Sequence, residues 1–133
     1  MQPYGRFYQH SEDNCKNFVW QLFTEGIAMY FEQALVKDFS YFHQDSGGWL
    51  PWCEKQFPQI LADFHHDLPT MTKSNQRYFG DWVSYHGKGD VGYYLGTKFV
   101  QQLCGTYDFE RLINLDMESV YREYIVFVES NRV

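Results

Sequence analysis

The side chains able to hold a metal or move a proton are few, and their spacing decides what they can do. The histidines are His10, His43, His65, His66 and His86, and the residues four places after them are Asn14, Gly47, Pro69, Thr70 and Asp90. No helix can therefore present two imidazoles from one face to one ion, the arrangement that many zinc hydrolases use. His65 and His66 are adjacent and point to different sides of a helix, where their polarity suits a C-terminal end. His86 and Asp90 have the spacing of a ligand pair, but Gly87 and Gly89 between them predict a loop. His10 precedes the first predicted helix, His43 falls in a predicted loop, and both read as surface. Glu25 and Glu32 are seven apart and nearly on one helical face, a spacing that a solvated stripe shows equally well. Cys15, Cys53 and Cys104 are an odd number at no metal-like spacing, which reads as reduced thiols of a cytoplasmic protein. No serine sits in a nucleophile elbow, and Gly87-Lys88-Gly89 lacks the rest of a phosphate-binding loop.

Two strings carry more. Thr24-Glu25-Gly26-Ile27-Ala28-Met29-Tyr30 is followed, in that order along the chain, by Gly92-Tyr93-Tyr94-Leu95-Gly96. Together they resemble the C-terminal part of a family of bacterial zinc-dependent peptidases of the gluzincin type. In that family a His-Glu-x-x-His helix supplies two zinc ligands and the general base, and a later Glu-Gly-x-Ala helix supplies the third ligand. A still later Gly-Tyr-Tyr-x-Gly turn opens another helix beside the site. The resemblance covers most of the chain after Glu25. It implies that Glu25 stands at the third-ligand position and that Tyr93 or Tyr94 lies near it as an oxyanion donor. The residues alone leave other readings open: Glu25 as a solvent-facing carboxylate, Tyr94 as a core residue and Tyr93 at its rim. The departure from the family is decisive for chemistry. No His-Glu-x-x-His string exists in the sequence, and both metal pair and general base are lost with it. Catalytic zinc needs about three protein ligands and an open position, so no cofactor is expected in the chain as it stands, zinc being the metal of the resembled family.

The elements that must position these residues are helical. Ser11 is a candidate cap, Glu12 and Asp13 suit a first turn, and apolar residues recur at Phe18, Val19, Leu22, Phe23, Ile27, Tyr30, Phe31, Ala34 and Leu35, predicting a helix to about Lys37. A loop spans 38–48. A second helix is expected from about Pro51, with Trp52, Phe57, Ile60, Leu61 and Phe64 inward, Pro58 kinking or restarting it, and Leu68, Pro69 and Thr70 closing it. A short helix is expected over 74–79. After Gly80, Gly87 and Gly89, Asp90 should cap a helix carrying Tyr94, Leu95, Phe99 and Leu103 and stopping at Gly105. Asp108 should cap a short helix with Leu112 and Ile113, and Asp116 a last one with Val120, Tyr121, Tyr124, Ile125 and Val128 inward. Some β-pairing is allowed near Trp82 to Tyr85. The expected fold is all-α: one helical domain over 1–133, an irregular bundle of about five to six helices, corresponding to the C-terminal subdomain of a zincin-like fold.

Composition bounds the function. The chain has 133 residues, 44% hydrophobic and 20% aromatic, enough for one core. A net charge of −6 with scattered basic residues argues against nucleic acid. A mean hydropathy of −0.51 and the lack of a long uncharged apolar run argue against a membrane span and against a signal peptide. The function expected is that of a truncated or degenerate relative of a zinc peptidase, inactive alone and hydrolytic only if an upstream His-Glu-x-x-His segment is supplied. The alternative is a small acidic helical protein that binds a protein partner. On either account the face around Glu25, bared of a covering helix, is expected to be apolar and to drive self-association or partner binding.

Overall fold

The 34 residues of the first helix, α1 (Pro3–Val36), form the longest element of the computed structural model, which describes residues 3–132 and side chains from Glu12 onward. Ser11, expected as the cap, lies inside α1, because the helix begins two turns earlier at Pro3, a residue whose fixed φ suits a first turn. The side chain of His10 falls outside the described residues. Lys37 ends α1 in the left-handed region at φ 59°. After a loop, α2 (Trp49–Asp67) opens on Gly48 and passes without restarting through Pro58, whose ring faces solvent. A 3-10 turn (Leu68–Thr70) closes it. Then follow α3 (Val91–Leu103), α4 (Phe109–Leu112) and α5 (Met117–Ser130). The architecture is an all-α bundle, and among the described residues the only β-type pairing is the isolated bridge between Tyr85 and Lys88.

The bundle is organised by α1 lying across α3. Val19, Leu22, Gly26, Met29 and Gln33 are buried, a run of three- and four-residue steps that marks one helical face. At the crossing the two backbones touch. A Cβ placed on Gly26 would overlap the Gly96 carbonyl oxygen, and one on Gly96 would stand 2.5 Å from the Leu22 carbonyl oxygen. No residue larger than glycine fits at either position without separating the helices. The crossing also corrects the expected inward stripe of α1. Past Gly26 the buried positions are Met29 and Gln33, while Phe31 and Leu35 are 50% and 67% exposed. Phe39, Phe109 and Ile113 are exposed too, and the Phe31 ring lies tilted by 32° beside Phe109 with centroids 6.3 Å apart.

The other helices complete one core. Ile60, Leu61 and Phe64 of α2, Tyr94, Leu95, Phe99 and Leu103 of α3, Leu112 of α4, and Val120, Tyr124 and Val128 of α5 are buried as their spacing predicts. Trp49, Cys53 and Phe127 join them, whereas Ile113 is half exposed. Asp108 and Asp116 cap as expected, accepting the backbone N–H groups of Arg111 at 2.9 Å and Ser119 at 2.8 Å. Asp90 holds the cap position of α3 without capping: it is left-handed at φ 57°, and its side chain takes no bond from the helix end.

The segment 74–79, expected to be helical, is irregular, because a side chain satisfies its backbone instead. Gln76, 5% exposed, accepts from the Tyr78 and Phe79 N–H groups at 2.8 and 2.9 Å and donates to the Phe79 carbonyl at 2.6 Å. Thr72 and Asn75 exchange hydrogen bonds just before it. Such local side-chain bonds compete with helix formation. The segment is then tied to α2: Tyr78 and Arg77 donate to Asp67 at 2.7 and 2.9 Å, and Tyr85 donates to Asp63 at 2.5 Å. The Gly92 N–H donates to the Tyr78 carbonyl at 3.0 Å, fastening the segment to the start of α3.

Gly26→Ala should destabilise the chain although alanine is the better helix former by about 1 kcal/mol. Overpacking against backbone costs about 1–3 kcal/mol, and here neither partner can rotate away. Chemical denaturation should show a net loss, while Thr24→Ala, on the exposed side of the same turn, should stay within about 0.5 kcal/mol of the parent. A Gly26→Ala variant as stable as the parent would contradict the backbone contact.

Candidate functional site

The same crossing sets the candidate site. Gly26 and Gly96 meet, so Glu25, one residue before the first, and Tyr93, three before the second, are carried to the same edge of the α1–α3 contact. Both are partly buried, and the Glu25 carboxylate lies near enough to the Tyr93 hydroxyl to act on its ionisation. Burial and the negative charge of Glu25 push the Tyr93 hydroxyl up to about 12, with Asp90 and Asp81 adding to the effect. The Tyr93 ring stands edge-on to Phe79 at 5.6 Å. Tyr94 turns the other way. It is 2% exposed, its ring packs against Phe42, Trp49 and Phe57, and burial pushes its hydroxyl well above the usual phenol range. Of the two tyrosines, Tyr93 is the one beside Glu25.

The histidines are dispersed. His43 pairs with Glu32, its Nδ1 at 2.9 Å from a carboxylate oxygen. His65, in the last turn of α2, shares a 3.0 Å hydrogen bond with the Tyr124 hydroxyl, and burial holds it below the ordinary imidazole range. His86 stands perpendicular to the Tyr85 ring at 4.5 Å. Among the described residues, no three His, Cys, Asp or Glu side chains gather so as to hold a metal ion. Cys15, Cys53 and Cys104 are free thiols, and burial pushes Cys53 up to about 12, which leaves it a poor nucleophile at neutral pH.

Next to Tyr93 a cavity of about 400 Å³ is lined by His43, Gln44, Asp81, Trp82, Asp90 and Tyr93. No local pattern in the chain points to it. Asp90 reads as a helix cap, Trp82 begins a stretch where some β-pairing is allowed, and Gln44 falls inside the predicted loop 38–48. Among the described residues no helix is long and apolar enough to cross a membrane. No protein-family model, curated protein or solved structure matches this chain.

A tyrosine whose folded pKa lies above the unfolded value holds its proton longer in the native state. Its contribution is therefore complete below about pH 10, the ordinary value, and is lost as pH rises through the folded value near 12. Tyr78, Tyr85, Tyr94 and Tyr124 are raised in the same direction, chiefly by burial. Stability should accordingly fall steadily above pH 10. In an ultraviolet difference titration the Tyr93 step, identified by its loss in Tyr93→Phe, should move to lower pH in Glu25→Gln. An unmoved step would show that the two side chains do not interact.

Proposed function

We propose that this chain carries the glutamate–tyrosine half of a zinc-peptidase-like centre and does not hydrolyse peptides by itself. The observation that carries the reading is the meeting of its two resembling strings: Glu25 and Tyr93 come together only because Gly26 and Gly96, one from each string, allow the helices to touch. On this reading Glu25 is a single metal-binding carboxylate and Tyr93 the group that would donate to a developing oxyanion. An upstream helix bearing His-Glu-x-x-His would have to bring two imidazoles and a general base to the same edge. One carboxylate does not hold zinc at useful affinity, since structural and catalytic sites draw on about three or four donors. Tyr94, from its place in the core, would act only by supporting its neighbour.

The test is metal analysis of the purified chain together with a casein-cleavage assay. Expected are no retained zinc after dialysis against micromolar zinc and no cleavage, with Glu25→Ala indistinguishable from the parent in both. Near-stoichiometric zinc that disappears in Glu25→Ala would overturn the reading.

A second reading, a helical protein that binds a protein partner or a second copy of itself, is favoured by one observation. The outer side of α1 leaves Phe31 and Leu35, one turn apart, largely uncovered, with exposed Phe109 beside Phe31 at 6.3 Å, and large exposed apolar side chains of this kind mark contact surfaces. Light scattering over rising concentration should detect self-association that Leu35→Asp abolishes. A chain that stays monomeric throughout would remove self-association from this reading.

A further inference from the structure

His65 stands where α2 meets α5, and it is the partner of a fully buried hydroxyl. Tyr124 of α5 is 0% exposed, and its ring meets Phe64 of α2 and Phe99 of α3 edge-on. Among the described residues its hydroxyl has one hydrogen bond, at 3.0 Å to His65 Nδ1, and no other side-chain hydrogen bond joins α2 to α5.

That bond fixes the state of the imidazole through donor and acceptor accounting. A phenol shut away from water must donate its hydrogen to something, and Nδ1 is the acceptor it has. Nδ1 accepts only in the neutral ring that carries its hydrogen on Nε2. Protonation places a hydrogen on both nitrogens. Nδ1 then becomes a donor, the hydroxyl has to turn and accept, and the Tyr124 O–H is left without a partner in the core. The Phe64 and Phe99 rings beside it offer no replacement. An orphaned buried donor shifts a folding equilibrium by roughly tenfold or more.

The imidazole is nonetheless within reach of solvent protons. It is half-buried and borders a groove of about 580 Å³ between the two helices, walled by Pro58, Leu61, Ala62, Val128 and Arg132. Two charged groups of α5 act on it: Arg132 opposes a positive charge on the ring, Glu129 favours one less strongly, and burial outweighs both. Arg132 and Glu129 also pair with each other at 3.2 Å. On α2 the next residues are His66, exposed, and Asp67, which is taken up by Arg77 and Tyr78 of the irregular segment. From α1 the buried Cys15 thiol lies near Tyr124, and α3 meets the tyrosine through the Phe99 ring. None of these groups hydrogen-bonds the Tyr124 hydroxyl in place of His65.

We propose that His65 and Tyr124 form an acid-sensitive latch: with His65 neutral the bond holds α5 on α2, and proton uptake by His65 breaks it and loosens α5 along the groove. Burial holds His65 below its ordinary value of 6.5, so the native chain takes up this proton later than the unfolded chain. The latch contributes fully above about pH 6.5, and its contribution is lost as the pH falls from there through the folded value. It uses neither Glu25 nor a metal, and it stands if the zinc reading fails.

Nitrogen-15 NMR of the histidine rings, amide hydrogen exchange and chemical denaturation of the whole chain, between about pH 7.5 and 5, test it. At the upper end the His65 ring should carry its hydrogen on Nε2. On acidification the α5 amides should exchange at least about tenfold faster than the intrinsic effect of pH predicts, and the folding constant should fall by a similar factor. His65→Gln should abolish both effects. Tyr124→Phe, which keeps the ring and removes the hydroxyl, should remove most of them, and His66→Gln, on an exposed neighbour, should keep them. Burial of His65 without a latch predicts the full pH effect in Tyr124→Phe. That result, an unchanged pH effect in His65→Gln, or a hydrogen on His65 Nδ1 in the parent at about pH 7.5 would overturn the proposal. The last needs no variant to fold.

Discussion

Two backbones in contact, at Gly26 and Gly96, are the constraint on which the rest of the molecule depends. Helices ordinarily pack with axes 8–10 Å apart, side chains interleaved between them. Where both helices present glycine that cushion is missing, and the flanking residues are forced into register around the contact. Leu22 and Met29 are buried on one side of the joint by this geometry, and Leu95, Phe99 and Val100 on the other. Glu25 and Tyr93 are placed at its edge by the same geometry and by nothing local to either. The cost of two glycines inside helices, roughly 1 kcal/mol each relative to alanine, is offset by packing that larger residues would prevent.

Around that joint the core is built from aromatic side chains with their polar ends anchored. Tyr78 and Tyr85 reach Asp67 and Asp63, and Tyr124 reaches His65, while the Tyr78 and Tyr124 rings meet Phe64 and Phe99 edge-on and Phe99 lies tilted on Phe127. A tyrosine in such a place fills as much space as phenylalanine and also fixes an orientation, because its hydroxyl must find a partner when buried. This helps so aromatic a chain settle on one arrangement: the rings of Tyr78, Tyr85 and Tyr124 are each positioned at both ends.

Much of the architecture could be read from the sequence, and what could not has a common cause. Asp108 and Asp116 were legible as caps because capping is decided within four residues. Asp90 has the same residue type in the same place, but a left-handed backbone turns its carboxylate away, and backbone handedness at a non-glycine residue leaves no trace in residue type. The helix expected at 74–79 failed because Gln76 supplies from its side chain the bonds that a helix would supply from its backbone. The α1 stripe held through Ile27 and Tyr30, which pack against the core, and failed at Phe31 and Leu35, which have the periodicity of core residues but remain largely uncovered. For the candidate site, Glu25 and Tyr93 could be named from the strings that hold them, and the reading of Tyr94 as a core residue with Tyr93 at its rim agrees with their burial. The Gln44 amide and the cavity it borders come from three distant segments, and no local pattern describes them.

The cavity wall rests on a stretch with no regular secondary structure, yet that stretch is held at many points: by the Gln76 amide, by Arg77 and Tyr78 on Asp67, by Tyr85 on Asp63, and by the Trp49 indole N–H on the Gly89 carbonyl at 2.7 Å. Its order is thus settled by the protein's own contacts. A visitor to such a cleft gives up its own freedom but does not have to freeze the host, so a small contact area can still yield measurable affinity. By the same logic, loosening a clamp on the far side, such as Asp63 or Asp67, would be felt in the cleft as lost rigidity although neither residue borders it.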